Sequence, residues 1–119
     1  MDAAALATDI LRRWGDAIAQ RDLDALAGLF GPDAVFVATA PAPLIGHAAI
    51  RAYYAAVPGG LTVTSSLVVA LAQKEGLVIL ADVVFDVPEG GALPGRLSLS
   101  CGERHAIRLY HLALTGGTA

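Results

Sequence analysis

Pro58-Gly59-Gly60 divides the chain into two halves with different hydrophobic periods. Before this break, apolar residues recur every three or four positions, as on helices. After it they recur every second position almost to the end, as on strands. Helices first, then a run of long strands joined by short turns, predicts an α+β domain with its helices packed on an antiparallel sheet.

In the first half, Leu6, Ile10, Trp14, Ala17 and Ile18 share one face and predict a helix from residue 3 to about 20. Asp9, Arg12, Arg13 and Asp16 occupy the other face, where Asp9–Arg13 and Arg12–Asp16 form solvated pairs of about 0.2–0.5 kcal/mol each. Asp22 or Asp24 caps a short second helix through Leu26 and Leu29, ended by Gly31-Pro32-Asp33. AVFVAT (34–39) reads as a first strand, with Val35 and Val37 on one face and Phe36 and Ala38 on the other. A loop with Pro41, Pro43 and Gly46 leads to a third helix from Ala48 to Val57. Strands are predicted at 61–73, 77–87, 96–102 and 105–114. Lys74-Glu75-Gly76 makes a hairpin turn, PEGGALPG (88–95) a longer connection and Gly102-Glu103-Arg104 a short one.

At 119 residues the chain has the length of one domain. It is 55% hydrophobic and 16% charged, against about 25% charged in a typical soluble domain. A domain this small cannot bury that much apolar surface alone, so a dimer interface or a large pocket is expected. Asp82 and Asp86 interrupt the longest apolar run, which falls short of the roughly 20 residues of a membrane span. The N-terminus has no basic segment before its apolar part and does not read as a signal peptide, which predicts a cytoplasmic protein. One cysteine, Cys101, excludes an internal disulfide, and its apolar strand context predicts an inert buried thiol. A net charge of −3 without a basic stripe argues against a nucleic-acid partner. His47, His105 and His111 have no metal-ligand spacing, and no phosphate-binding glycine motif occurs, so no metal and no cofactor is expected.

The segment 77–87 leaves its orientation open. Leu77, Ile79, Ala81, Val83, Phe85 and Val87 form one apolar face, while Val78, Leu80, Asp82, Val84 and Asp86 form the other. Pattern alone turns the first face inward and leaves Asp82 in water. Asp82 and Asp86 stand about 13 Å apart on an extended strand, too far to act as one carboxylate pair.

RDLDALAGLF (21–30), PDAVFV (32–37), PLIGHAAIRAYY (43–54) and IRLYHLAL (107–114), in this order and spacing, resemble the nuclear transport factor 2-like superfamily. This is the fold of ketosteroid isomerase and the SnoaL-type polyketide cyclases, and the first half is most similar to small SnoaL-like members. The resemblance implies a cone with an apolar pocket, three helices packed on a strongly curved, mostly antiparallel sheet. The isomerase's carboxylate base falls on Ala38, its oxyanion tyrosine on Trp14 and its second acid on or near Leu97. Neither Ala38 nor Leu97 transfers protons and Trp14 only donates, so the resemblance implies the cone without that mechanism. It also places Leu80, Asp82 and Val84 in the pocket, with the Leu77–Val87 face turned outward as a dimer surface that includes Val83. That is the reverse of the pattern reading. An inward Asp82 would be the candidate general base.

The same resemblance points Arg108, Tyr110 and Leu112 into the cone and His105 and His111 outward. Tyr110 would orient a ligand carbonyl, Arg108 would pair with Asp82, and a bulge that turned His111 inward would make it an acid–base group. Tyr53 and Tyr54 lie near the pocket, Tyr54 deeper. Two functions follow. One is a cofactor-free proton-transfer enzyme, an isomerase, cyclase or dehydratase acting on an apolar carbonyl-bearing molecule, in keeping with natural-product biosynthesis. The other is a non-catalytic module that binds a small ligand or dimerises. An ionisable side chain inside the cone separates them. A homodimer through the outer sheet face is expected in either case, and the bias toward Ala, Gly, Leu and Val suits a GC-rich bacterial genome.

Overall fold

A computed structural model describes residues 2–115. Helix α1 (Ala3–Gln20) starts where the Asp2 side chain accepts a hydrogen bond from the Ala5 amide at 2.7 Å. Its buried stripe is Ala7, Ile10, Leu11, Trp14, Ala17 and Ile18. It stops at Arg21, which takes a left-handed conformation at φ 54°. Asp22 caps α2 (Leu23–Gly28) through the Ala25 amide at 3.0 Å. The Arg21 guanidinium donates to the carbonyls of Ala55 and Val57, both at 2.7 Å. It thereby satisfies the open C-terminal end of α3 (His47–Ala56) and fixes that helix against the α1–α2 corner.

The strands are β1 (Phe30–Val37), β2 (Leu44–Ile45), β3 (Thr62–Gln73), β4 (Gly76–Val87), β5 (Gly91–Cys101) and β6 (Ile107–Leu114). They form one sheet in the order β2-β1-β6-β5-β4-β3, with β1–β6 as the parallel neighbours and the other pairs antiparallel. The sheet is curved and unclosed, and the three helices pack against its concave side. This is the predicted α+β cone.

The concave face carries Leu77, Ile79, Ala81, Val83 and Phe85 from β4, with Leu97, Leu99 and Cys101 from β5 and Ile107, Tyr110 and Leu112 from β6. The pattern reading of β4 therefore holds. The orientation implied by the family resemblance does not: Val83 is 1% exposed and belongs to the core rather than to an outer face. Turning the strand over would bury Asp82 and Asp86, at several kcal/mol for each unpaired carboxylate.

Two stretches read as punctuation lie inside strands. β5 begins at Gly91, not residue 96, so Pro94 is a strand residue. Its carbonyl accepts from the Thr115 amide at 2.9 Å. The proline nitrogen faces the same side, beyond the end of β6, so no ladder hydrogen bond is missed. Gly31-Pro32-Asp33 interrupts β1 instead of preceding it, as an irregularity between Phe30 and Val35 in the pairing with β6. The strand expected from residue 105 starts later, at Ile107, because Glu103–His105 form a tight turn with Arg104 and His105 left-handed.

Candidate functional site

All seven aromatic residues of the chain line or rim the cone: Trp14 from α1, Phe30 and Phe36 from β1, Tyr53 and Tyr54 from α3, Phe85 from β4 and Tyr110 from β6. Trp14 Nε1–H donates to the Tyr54 hydroxyl at 3.0 Å in a buried hydrogen bond. Tyr110 stacks on Phe36, ring centres 4.2 Å apart and planes 8° from parallel, with its hydroxyl toward that of Tyr54. Trp14 closes the group with an edge contact to Phe85 at 5.9 Å and a tilted contact to Tyr110 at 6.0 Å. Tyr53 is half-buried at the rim, where its hydroxyl shares a 2.9 Å hydrogen bond with Thr39.

Burial raises both central phenols above their ordinary range. For Tyr54 the hydrogen bond from Trp14 offsets part of the desolvation, and for Tyr110 the neighbouring Tyr54 adds to it. Both hydroxyls stay protonated at physiological pH. Trp14 Nε1–H donates to the Tyr54 oxygen, and two facing hydroxyls place only one of their protons between them, so the other hydroxyl proton has no acceptor inside the triad. Among the described residues no charged or other polar side chain is buried with them. The cavity that reaches Tyr54, between Ile18, Leu26, Val57 and Leu61, measures about 10 Å³, room for one water at most.

The other expected site residues divide between the two sheet faces. Leu97 and Leu112 are buried in the core, and Ala38 is half-buried just past the end of β1. Cys101 faces inward, and burial pushes its thiol up to about 11. Tyr54 is deeper than Tyr53, as expected. Asp82 corrects the pocket-lining expectation. It lies on the outer face, 57% exposed, and accepts from Arg96 Nε at 2.7 Å. Its register partners there are Ser66 and Arg96. Leu80 and Val84 share this outer face and do not line the cone. Arg108 is exposed at the β5–β6 irregularity and neither enters the cone nor meets Asp82. His111 is exposed on the outer face opposite Ser98 and Val37, and His105 is exposed on the turn, so neither approaches the aromatic group.

Two features were not anticipated. Phe36 is the central ring of the interior, touching Tyr53, Tyr54 and Tyr110. Its position on the face of β1 opposite Val35 and Val37 was the available signal. The Asp82–Arg96 pair was also visible in principle, because the two residues are equidistant from Glu89, the centre of the β4–β5 hairpin.

The outer face reads as rows across the sheet. One row runs Ile45, Val35, Leu109, Ser100, Val78 and Leu71, and the next runs Val37, His111, Ser98, Leu80 and Val69. Beyond these come Ala113, Arg96, Asp82 and Ser66, then Pro94, Val84 and Thr64. Ile45, Leu71 and Leu109 are 65, 52 and 42% exposed. No element of the described chain covers them.

The family model for the SnoaL-like domain matches residues 11–94. Among curated proteins no sequence match is found. Solved structures share the fold. A Mycobacterium tuberculosis protein of unknown function superposes with a TM-score of 0.79 at 17% identity, over 91% of this chain and 73% of that one. A Novosphingobium aromaticivorans protein proposed to be an aromatic ring hydroxylase gives 0.78 at 22% identity, over 96% and 90%. A Sinorhizobium meliloti protein proposed to be a polyketide cyclase gives 0.62 at 23%, over 88% and 94%.

Proposed function

The chain belongs to the SnoaL-like domain family, and from that premise we propose that it is a non-catalytic member that works by pairing with a second copy of itself through the outer sheet face. The observation that carries this reading is the contrast between the two faces. The cone is filled by aromatic side chains and holds no buried carboxylate or imidazole among the described residues. The outer face carries two largely apolar rows without cover. Five strands about 4.8 Å apart and four rows about 6.8 Å apart make a face of roughly 650 Å² per partner, or about 1,300 Å² in a pair, inside the range of specific interfaces. A two-fold axis would also let Arg96 of each copy approach Asp82 of the other.

Light scattering at about 100 μM, well above the micromolar range in which an interface of this kind dissociates, tests it. The wild type should weigh about 24 kDa, twice the 12.1 kDa of one chain. Leu80→Asp should give a folded monomer, because it places a charge in the interface. Val83→Asp should fail to fold, because it places the charge in the core. A wild-type monomer, or a dimeric Leu80→Asp, would remove the outer face from the function.

A second reading keeps the cofactor-free isomerase or cyclase of the same family. The surplus hydroxyl proton of the Trp14–Tyr54–Tyr110 group favours it, since an apolar carbonyl compound would accept that bond. Such a ligand would have to open the cone and would need an external base. Trp14 fluorescence should respond to steroid-like or polycyclic carbonyl compounds if this reading holds. No response across a broad panel leaves the interior as core.

A further inference from the structure

We propose that the turn between β5 and β6 forms, with α1 and α2, a binding site for a small organic carboxylate. A cavity of about 190 Å³ lies between Arg13 and Ile10 of α1, Gly28 and Leu29 at the end of α2, and Arg104, His105 and Ala106 of the turn. This site is separate from both the aromatic interior and the outer sheet face. Three cationic or ionisable nitrogenous side chains converge there, and no Asp or Glu lines it. Asp9 holds Arg13 through Nε at 3.0 Å, which orients the guanidinium while its terminal amines form no hydrogen bond among the described residues. Arg104 and His105 likewise form no side-chain hydrogen bond among the described residues. Ile10, Leu29 and Ala106 supply an apolar wall.

The backbone gives an independent reason to look here. Arg104 and His105 are consecutive and both left-handed, at φ 56° and 60°. This region disfavours most side chains; Gly, Asn, Asp and His are the residues enriched in it, and Arg is not. The chain has 13 glycines, yet Arg and His stand at these two positions with both side chains exposed, so core packing does not account for them. Arg21 and Glu89 are also left-handed, singly, at a helix end and a hairpin turn; Arg104 and His105 are the consecutive pair, and both line the cavity. The turn is held by hydrogen bonds from the His105 amide to the Gly102 carbonyl at 3.0 Å and from the Gly102 amide to the Ala106 carbonyl at 2.8 Å. The Ile107 amide donates to the Leu29 carbonyl at 2.9 Å and fixes the turn beside α2.

The chemistry of the ligand follows from the walls. The volume equals that of about six waters, so the ligand is small. The guanidinium of Arg104 matches a carboxylate in bidentate geometry. The apolar wall favours an acid with a short aryl or alkyl body over a fully hydrated oxyanion. The neighbouring groove shares Arg13, Gly28 and Leu29 but also holds Asp16 and Asp22, which repel a second acidic group. A monocarboxylate fits best.

Titration of the isotope-labelled full chain with sodium benzoate at constant ionic strength, followed by amide NMR, tests the proposal. Saturable shifts should appear at Gly28, Leu29, His105 and Ala106. Benzamide, the neutral isostere, should produce none. Arg104→Gln, exposed and expected to fold normally by circular dichroism, should weaken benzoate at least about tenfold. Inorganic phosphate should bind more weakly than benzoate. Non-saturating shifts, equal binding of benzamide or phosphate, or an unchanged affinity in Arg104→Gln would overturn it.

Discussion

Replacing Tyr54 with Phe isolates the polar heart of the cone. The Tyr54 residue is 5% exposed, and its ring packs edge-on against Phe36 at 5.6 Å and Tyr53 at 5.5 Å. Phe preserves those contacts and removes one oxygen. That oxygen is the acceptor for Trp14 Nε1–H at 3.0 Å, and the indole has no other hydrogen bond among the described residues. A buried donor left without a partner costs about 1–3 kcal/mol. Tyr110 loses its hydroxyl neighbour as well, which brings the expected loss to about 2–4 kcal/mol, a large part of the 5–15 kcal/mol of a typical domain. For a chain of this length each kcal/mol is worth about 4 °C, so Tm should fall by about 8–16 °C. The double variant Trp14→Phe/Tyr54→Phe removes donor and acceptor together and should be less destabilised than the sum of the single changes, by about 1–2 kcal/mol. Thermal and urea melts at one fixed protein concentration, followed by far-UV circular dichroism, measure both. A Tyr54→Phe change within about 0.5 kcal/mol of wild type, or strict additivity in the double variant, would refute the buried bond as a source of stability.

Two further outcomes follow from the titrating groups. The folded state holds the protons of Tyr54, Tyr110 and Cys101 more tightly than the unfolded chain, because burial raises all three. Their contribution is therefore fully present below the unfolded values, 9.0 for the thiol and 10.0 for the phenols, and is lost as pH climbs toward the folded ones. The unfolding free energy from urea melts should fall from pH 9 upward and, above pH 10, by about 1.4 kcal/mol per pH unit for each buried tyrosine. A flat profile to pH 11 would contradict the burial. Asp82→Asn should leave stability within about 0.5 kcal/mol of wild type, because the Asp82–Arg96 pair is solvent-exposed. A loss above about 2 kcal/mol would mean that the pair is not solvated in solution.

Where one physical preference dominated, the sequence was sufficient. The α1 stripe, the Asp22 cap and the change of period at Pro58-Gly59-Gly60 each correspond to an observed element. The α3 and β4 boundaries fall within a residue of those predicted. Punctuation failed where neighbouring strands removed its usual penalty. Pro94 sits in β5 because β6 ends beside it, and Gly31-Pro32-Asp33 is absorbed as an irregularity because Phe30 still pairs with Ile107. The site was less legible. Residue-by-residue transfer from the family put Asp82 inside, whereas alternation along β4 put it outside. Alternation prevailed because it reports the desolvation cost of this chain's own side chains, while the transfer assumed a register that relatives this distant do not guarantee. The interior triad was partly visible: Trp14, Tyr54 and Tyr110 were each singled out, but the Trp14–Tyr54 bond joins residues 40 positions apart, and only the packing of the folded chain creates it.

The distribution of aromatic residues sets the strength of the proposed dimer. Tightly bound interfaces concentrate their energy in a few buried Trp, Tyr and Arg anchors. Here all seven aromatics are committed to the cone. The outer rows offer Val, Leu, Ile and Ser, with Arg96 as the one such anchor. Arg96 is already paired with Asp82 of its own chain, so docking gains little from it. About 1,300 Å² of anchor-poor surface suits a reversible complex in the micromolar range, about −8 kcal/mol. The contact is largely apolar, so raising the salt concentration should leave it unchanged or strengthen it, unlike an ion-pair interface. Sedimentation equilibrium over a hundredfold concentration range, at low and high salt, decides the matter. A nanomolar dissociation constant, or a dimer that dissolves as salt is raised, would mean that surfaces beyond these rows hold the two copies together.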